Sequence, residues 1–315
     1  MSQLRKMLIT GGAGCLGSNL VAHYLVQGYE ILVIDNFATG KPEALPKNEK
    51  LTVVEGSIAD ESLIKNIIKK FQPTQIVHSA ASYKDPTDLK EDVRTNILGM
   101  INLIEAANEH TVDRFINFQT ALCYGRPVSV PISVDASTAP FTSYGISKTA
   151  AEQLLQRSKL PFVSLRLANI CGPRLSIGPI PTFYQRLLEN KDCYCTDSVR
   201  DFIDMSDFLT LMDLVLCKSA PTGTFNVSTG IGHSILDIFH RVSNYLGKGS
   251  LEVPITPVSR DDVQSVVLDP SFTEVMFGWK AKIGFNQMID RQLKWYDKYG
   301  VKEVYSHLEI VDQNS

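Results

Sequence analysis

The chain carries no excess of positive charge: 31 Lys and Arg stand against 34 Asp and Glu, a net charge of −3. That balance argues against a nucleic-acid or membrane-surface protein, since both uses need a basic face. No run of about 18 apolar residues occurs, so no membrane-spanning helix is expected. The opening MSQLRKMLIT holds only a short apolar run before glycines intervene, which reads as a first strand and not as a secretory leader. Cys15, Cys123, Cys171, Cys193, Cys195 and Cys217 include no Cys-x-x-Cys pair. They read as free thiols of a reducing cytoplasm. No His/Cys cluster has ligand spacing, so no metal is expected. There is no internal repeat and no low-complexity tract. What the chain does have is length and apolar content, 315 residues of which 44% are hydrophobic. That suffices for one large α/β domain, or a domain with a smaller lobe.

The first half alternates strand and helix signals. Short apolar runs at Met7–Thr10, Glu30–Ile34, Leu51–Glu55, Gln75–His78, Arg114–Phe118 and Phe162–Leu167 predict strands. Between them, helical spacing predicts helices at Gly14–Gln27, after Asp60, at Asp92–Asn108 and at Tyr144–Ser158. Such repeated βα units predict a doubly wound parallel sheet covered on both faces. After Asn169, prolines 173, 179 and 181 and glycines 172 and 178 break the pattern. The expected organisation is a nucleotide-binding domain over 1–168 and a smaller mixed α/β lobe over 169–315, with elements near 204–230 returning to the first domain.

At the first strand-to-helix turn stands ITGGAGCLG, in which Gly12, Gly14 and Gly17 satisfy GxGxxG. Glycines let the backbone approach a pyrophosphate, and the helix N-terminus offers unpaired N–H groups. Asp35 ends the next strand; its carboxylate can hold an adenosine ribose and would repel a 2′-phosphate. Asn36, Phe37 and Ala38 follow with no arginine. NAD is therefore expected over NADP. Further on, Tyr144 and Lys148 are four apart in SYGISK and share one helix face. A phenol is a poor base at neutral pH. Lowering its pKa by about three units needs roughly 4 kcal/mol of preferential stabilisation, which an ammonium and a positive nicotinamide ring can supply.

Taken together, TGGAGCLG, DNFATGK, VEGSIAD, HSAA, NILG, TALCYG, YGISK, RLANICGPR and RDFIDMSD resemble the extended short-chain dehydrogenase/reductases. The resemblance is to their nucleotide-sugar epimerase and dehydratase branch, and it spans nearly the whole chain. A subgroup encoded in bacterial polysaccharide gene clusters is similar around FQTALCYG. The resemblance implies that Thr120 hydrogen-bonds the sugar hydroxyl to be oxidised, that Tyr144 is the general base, and that Lys148 activates it and holds the nicotinamide ribose. It places Gly11, Gly14, Cys15 and Leu16 at the pyrophosphate, and Asp35 and Asn36 at the adenosine ribose. Ser57 and Ile58 fall beside the adenine, where the family usually has Asp-Ile or Asp-Leu, so Ser57 is a departure. Ala80 and Ala81 run under the cofactor. Asn169 and Arg200 fall at the substrate diphosphate, where a guanidinium fork suits the ligand. Arg260 is a second arginine for it, shifted by one residue, and Val266 falls at a position that limits sugar bulk. A homodimer built through a four-helix bundle is also implied.

The same resemblance narrows the reaction. The 4,6-dehydratases place Asp-Glu directly after the threonine to move protons, and decarboxylases usually carry an acidic residue in this stretch. Here Ala121-Leu122 stands instead, and neither side chain transfers protons. A 4-epimerase needs no such group, so the expectation is a UDP-sugar 4-epimerase with tightly held NAD. The alternatives are a dehydratase, a decarboxylase, a 4-keto-sugar reductase and a catalytically dead NAD-binding scaffold. Dead relatives generally lose the tyrosine, which is intact here.

Overall fold

The computed structural model describes residues 5–301 apart from 84, 86, 260 and 261. The first half runs β1 (Lys6–Thr10), α1 (Cys15–Val26), β2 (Glu30–Asp35), β3 (Leu51–Glu55), α2 (Glu61–Phe71), β4 (Gln75–His78), α3 (Leu89–Asp92), α4 (Gly99–Asn108), β5 (Arg114–Thr120), α5 (Ser143–Gln156) and β6 (Phe162–Leu167). The second half runs β7 (Asn169–Cys171), α6 (Pro179–Leu188), β8 (Cys195–Thr196), β9 (Val199–Asp204), α7 (Met205–Val215), β10 (Gly223–Val227), β11 (Gly232–Ser234), α8 (Ile235–Tyr245), β12 (Ile255–Thr256), β13 (Ser265–Val266), α9 (Ser271–Phe277) and α10 (Phe285–Tyr299).

Seven strands form one sheet in the order β10-β6-β5-β4-β1-β2-β3, and every neighbouring pair is parallel. Helices cover both faces. Leu20, Val21 and Tyr24 of α1 share a core with Phe208, Leu211 and Met212 of α7 on one side. Ile64, Ile67 and Ile68 of α2, Met100 and Leu103 of α4, and Leu155 of α5 form the core on the other. Burial on both faces is why the strands read as unbroken apolar runs. Asp60 starts α2 by accepting a hydrogen bond from Leu63 N at 2.9 Å, a cap worth about 1 kcal/mol.

Two segments depart from expectation. Strand β5 runs on to Thr120, because Gln119 and Thr120 continue the ladder opposite Arg166 and Leu167 of β6. The helix expected over Asp92–Asn108 is instead interrupted by a π turn at Val93–Leu98. Such insertions gather at functional sites, and this one carries Asn96 into the interior.

Beyond β6 the chain builds a second, smaller sheet in which β9 is flanked by β11 and β13 and also pairs with β7. Its core gathers Phe183 and Tyr184 of α6, Phe239 of α8 and Tyr296 of α10. Strand β10 then leaves this lobe and pairs with β6 at the edge of the large sheet. No helix among the described residues is long and apolar enough to cross a membrane.

Candidate active site

In a parallel sheet of this order, ligands bind beyond the carboxyl ends of the strands. Thr10, Asp35, His78 and Thr120 end β1, β2, β4 and β5 at that edge. The first turn is tight. Gly11 has φ +66°, and a Cβ there would lie 2.7 Å from the backbone of Ala80. A Cβ on Gly17 would come within 2.3 Å of the Gly11 carbonyl oxygen. Helix α1 therefore starts directly against β1. Its N-cap, Gly14, makes no side-chain cap, so the first-turn N–H groups face outward as an anion cradle with Cys15 and Leu16. Burial pushes the Cys15 thiol up to about 12, which makes it an inert wall.

Asp35 is buried and accepts from Ala13 N and Phe37 N, both at 2.8 Å. Each carboxylate oxygen keeps a lone pair for a ribose hydroxyl. The Asn36 side chain accepts from Ala38 N at 3.1 Å, and Ser57 Oγ accepts from Ala59 N at 3.2 Å. Ile58 turns inward: it is 4% exposed, and a Cβ on Gly99 would meet its side chain at 2.5 Å. Only its backbone is left to face a ligand. Ala80 N donates to Thr10 Oγ1 at 3.3 Å, which keeps the Ala80–Ala81 strand end against the turn.

Thr142 caps α5 by accepting from Gly145 N at 3.1 Å. A Cβ on Gly145 would lie 3.2 Å from the Leu122 carbonyl oxygen, so the helix begins on the turn that follows Thr120. Gln119 fastens the two together. Its amide donates to the Lys148 carbonyl at 2.9 Å and its oxygen accepts from Thr120 N at 2.8 Å. The structure thus brings Thr120, Tyr144 and Lys148 to one place. Lys148 is 2% exposed, and its ammonium has no hydrogen bond or ion pair among the described residues. Burial brings its pKa down to about 8, opposed by Glu152. His78 donates or accepts at Thr10 Oγ1 over 2.8 Å, and burial keeps it neutral.

The sequence expectation for Tyr144 is a phenolate favoured jointly by an ammonium and a positive nicotinamide ring. Burial raises the phenol above its ordinary value, and Tyr83 and Asp92 push the same way. Both expected positive charges would act against that rise. Tyr83, whose ring centroid is 5.9 Å from that of Tyr144, is a site residue that the motif reading passed over. Asn96 is another. It is fully buried, accepts from Ser82 N at 2.9 Å, and donates to Ser82 O at 3.0 Å and to Ser147 Oγ at 2.9 Å. It clamps the Tyr83 loop to α5. The NILG motif contains it, but only the π turn shows where it points. Arg174, inside RLANICGPR, is a third: its Nε donates to Ser18 Oγ at 2.7 Å on the first turn of α1.

The expected substrate residues lie on the smaller sheet. Asn169 of β7 sits opposite Phe202 of β9 and donates to Asp201 O at 3.0 Å. Arg200 of β9 is not a free fork. Its Nη2 donates to Asp262 Oδ1 at 2.6 Å and its Nη1 to Val199 O at 2.9 Å, so a diphosphate would have to compete with a carboxylate. Val266 is buried in a small apolar cluster with Ala121, Cys123 and Tyr124. Arg260 lies outside the described residues.

Several solved and curated proteins are similar to this chain over nearly its whole length. The enzyme WbmG of Bordetella bronchiseptica, crystallised with NAD and UDP, is 59% identical, with a TM-score of 0.93 over 98% of this chain and 99% of its own. UDP-glucose 4-epimerase of Thermotoga maritima, crystallised with UDP-glucose, is 28% identical, with a TM-score of 0.86 over 93% of this chain and 99% of its own. UDP-glucose 4-epimerase of Halalkalibacterium halodurans is 28% identical over 93% of this chain and 96% of its own. A sequence model of the NAD dependent epimerase/dehydratase family matches residues 7–228, the span that holds the glycine turn, Thr120, Tyr144, Lys148 and the return of β10 to the sheet, and the chain belongs to that family.

Proposed function

We propose that the chain is an NAD-dependent 4-epimerase of a nucleotide sugar, with a UDP-sugar as substrate. The observation that carries this reading is the chemistry of the turn after Thr120. Ala121 and Leu122 have no ionisable group. Cys123 is fully buried, and burial pushes its thiol up to about 12. The Tyr124 phenol is likewise pushed up to about 12, donates to Asn226 Oδ1 at 2.7 Å and accepts from Arg166 at 2.9 Å. The turn therefore offers no second acid or base of the kind a dehydratase needs.

In this reading Tyr144 takes the proton of the sugar 4-hydroxyl, Thr120 Oγ orients that hydroxyl, and Lys148 supports the phenolate and the nicotinamide ribose. NAD supplies reversible hydride acceptance at sugar C4. Gly11, Gly14, Cys15 and Leu16 hold its diphosphate, and Arg174 adds a guanidinium at the same turn. Asp35 and Asn36 hold the adenosine ribose, Ser57 and the Ile58 backbone meet the adenine, and Ala80 and Ala81 lie beneath the cofactor. Asn169, Arg200 and Arg260 serve the sugar nucleotide's diphosphate. Six unpaired cysteines suit a cytoplasmic enzyme, and the FQTALCYG resemblance suits one that supplies polysaccharide precursors. The test is incubation of the purified protein with UDP-glucose, UDP-N-acetylglucosamine and UDP-glucuronate without added NAD. C4 interconversion of at least one is expected; conversion of none defeats the reading.

The reading includes a homodimer through a four-helix bundle of α3–α4 and α5. What supports it is apolar exposure on these helices: Leu89 is 59%, Val93 52% and Ile146 51% exposed, and with Ile97 and Phe141 they line one groove. Contiguous patches of this kind mark interaction surfaces. A Val93→Glu/Ile146→Glu variant is expected to sediment as a monomer where the parent sediments as a dimer. Unchanged sedimentation would remove these helices from the interface.

A further inference from the structure

Lys148 and Glu152 lie one turn apart on α5, 2% and 1% exposed, so their side chains leave the same helix face. Glu152 cannot turn away. It accepts from Ser164 Oγ at 2.6 Å and from Arg166 Nη2 at 2.8 Å and Nε at 3.2 Å. Arg166 is itself anchored through Nη1, which donates to Tyr124 Oη at 2.9 Å and to Val134 O at 3.1 Å. A carboxylate is thereby fixed one helical turn from a buried ammonium that makes no hydrogen bond or ion pair among the described residues.

An ammonium taken out of water tends to shed its proton. The titratable groups that act on or with Lys148 are Glu152 on its own helix and His78 at the end of β4, with Tyr144 one turn before it on α5; Arg166 and Cys123 face Glu152. His78 is held neutral by burial, with the Lys148 ammonium pushing the same way. Among these groups only Glu152 favours the charged form of Lys148.

We propose that Glu152, locked by Arg166 and Ser164, is a positioning residue that keeps the Lys148 ammonium charged in its buried seat. It acts through Lys148 and touches neither sugar nor cofactor. This rests on the reading of Lys148 as the partner of Tyr144. The pairing also predicts opposite signs for its two members. Removing the carboxylate leaves Lys148 beside a net positive charge, whereas removing the guanidinium leaves Glu152's field unopposed.

The test is titration of the NAD-loaded protein carrying lysine labelled with carbon-13 at Cε, the Lys148 resonance being assigned by its loss in Lys148→Arg. In Glu152→Gln the Lys148 midpoint is expected to fall by about one pH unit or more. In Arg166→Met it is expected to rise, and in Glu152→Asp, which keeps the charge, to stay near the parent value. The alkaline limb of kcat/KM should move with it. Midpoints that stay within a few tenths of a unit in every folded variant overturn the inference. So does failure of all three to fold, which would make the pair a structural strut. Midpoints that move as expected in a protein that converts no nucleotide sugar uphold the inference and count against the epimerase reading instead.

Discussion

Replacing Tyr144 with phenylalanine is expected to lower kcat by about 10² to 10⁴-fold, the usual contribution of a positioned base, while NAD content and circular dichroism stay unchanged. That range corresponds to about 3 to 5 kcal/mol of barrier. The ring would keep its place: it follows the Thr142 cap and lies beside Tyr83, 5.9 Å between centroids. Only the hydroxyl is lost. A variant that turns over at the parent rate would falsify the assignment of the base. In the proposed reaction of the NAD-loaded parent Lys148 acts as an ammonium, so the rate should decline as pH rises past about 8, where burial leads Lys148 to lose its charge.

Gly11→Ala is expected to abolish NAD retention and, with it, turnover. The residue has φ +66°, and the new Cβ would lie 2.7 Å from Ala80 N and Cα and 2.9 Å from Ser79 C. All three are backbone atoms, so no side-chain rotation relieves the clash. Left-handed backbone costs a non-glycine residue about 1 to 2 kcal/mol before any contact is counted. The β4 end that carries Ala80 would have to move away from β1, opening the cradle. Absorbance of the purified variant gives its nucleotide content. Parent-level NAD in this variant would mean that the turn is less constrained than its geometry states. Gly14→Ala offers the contrast, since a Cβ there meets only the Gly11 carbonyl oxygen at 3.4 Å, and it should perturb the fold far less.

The sheet and the places of Thr120, Tyr144 and Lys148 were legible in the sequence for a common reason. Strands buried on both faces must be apolar throughout, and Met7–Ile9, Ile31–Ile34 and Ile76–Val77 are. Thr120, Tyr144 and Lys148 lie in short local patterns whose spacing survives folding. The second lobe was opaque because its strands β8, β12 and β13 have two residues each. No periodicity fits in two residues; their pairing is set by distant chain. The Arg200–Asp262 bond spans 62 positions, which explains why Arg200 read as a free clamp. Asn96 was hidden because a π turn has no compositional signal. Gln119 looked like a strand residue of no consequence, and only the fold shows that both ends of its amide are in use.

Strand β10 closes the large sheet after the chain has already built part of the second lobe. For anyone recombining relatives to change sugar preference, this sets where crossovers can fall. A single junction near residue 168 would separate β6 from β10, its ladder partner. It would also separate Arg114 from the carbonyls of Cys217 and Lys218 that it caps at 2.9 Å. The transferable unit is discontinuous: the stretch from β7 to β9 and the stretch from β11 onward travel together, while α7 and β10 stay with the parent. Substrate range in this architecture can therefore be exchanged in two pieces that flank an element of the cofactor sheet, and grafts designed that way keep every strand of that sheet at home.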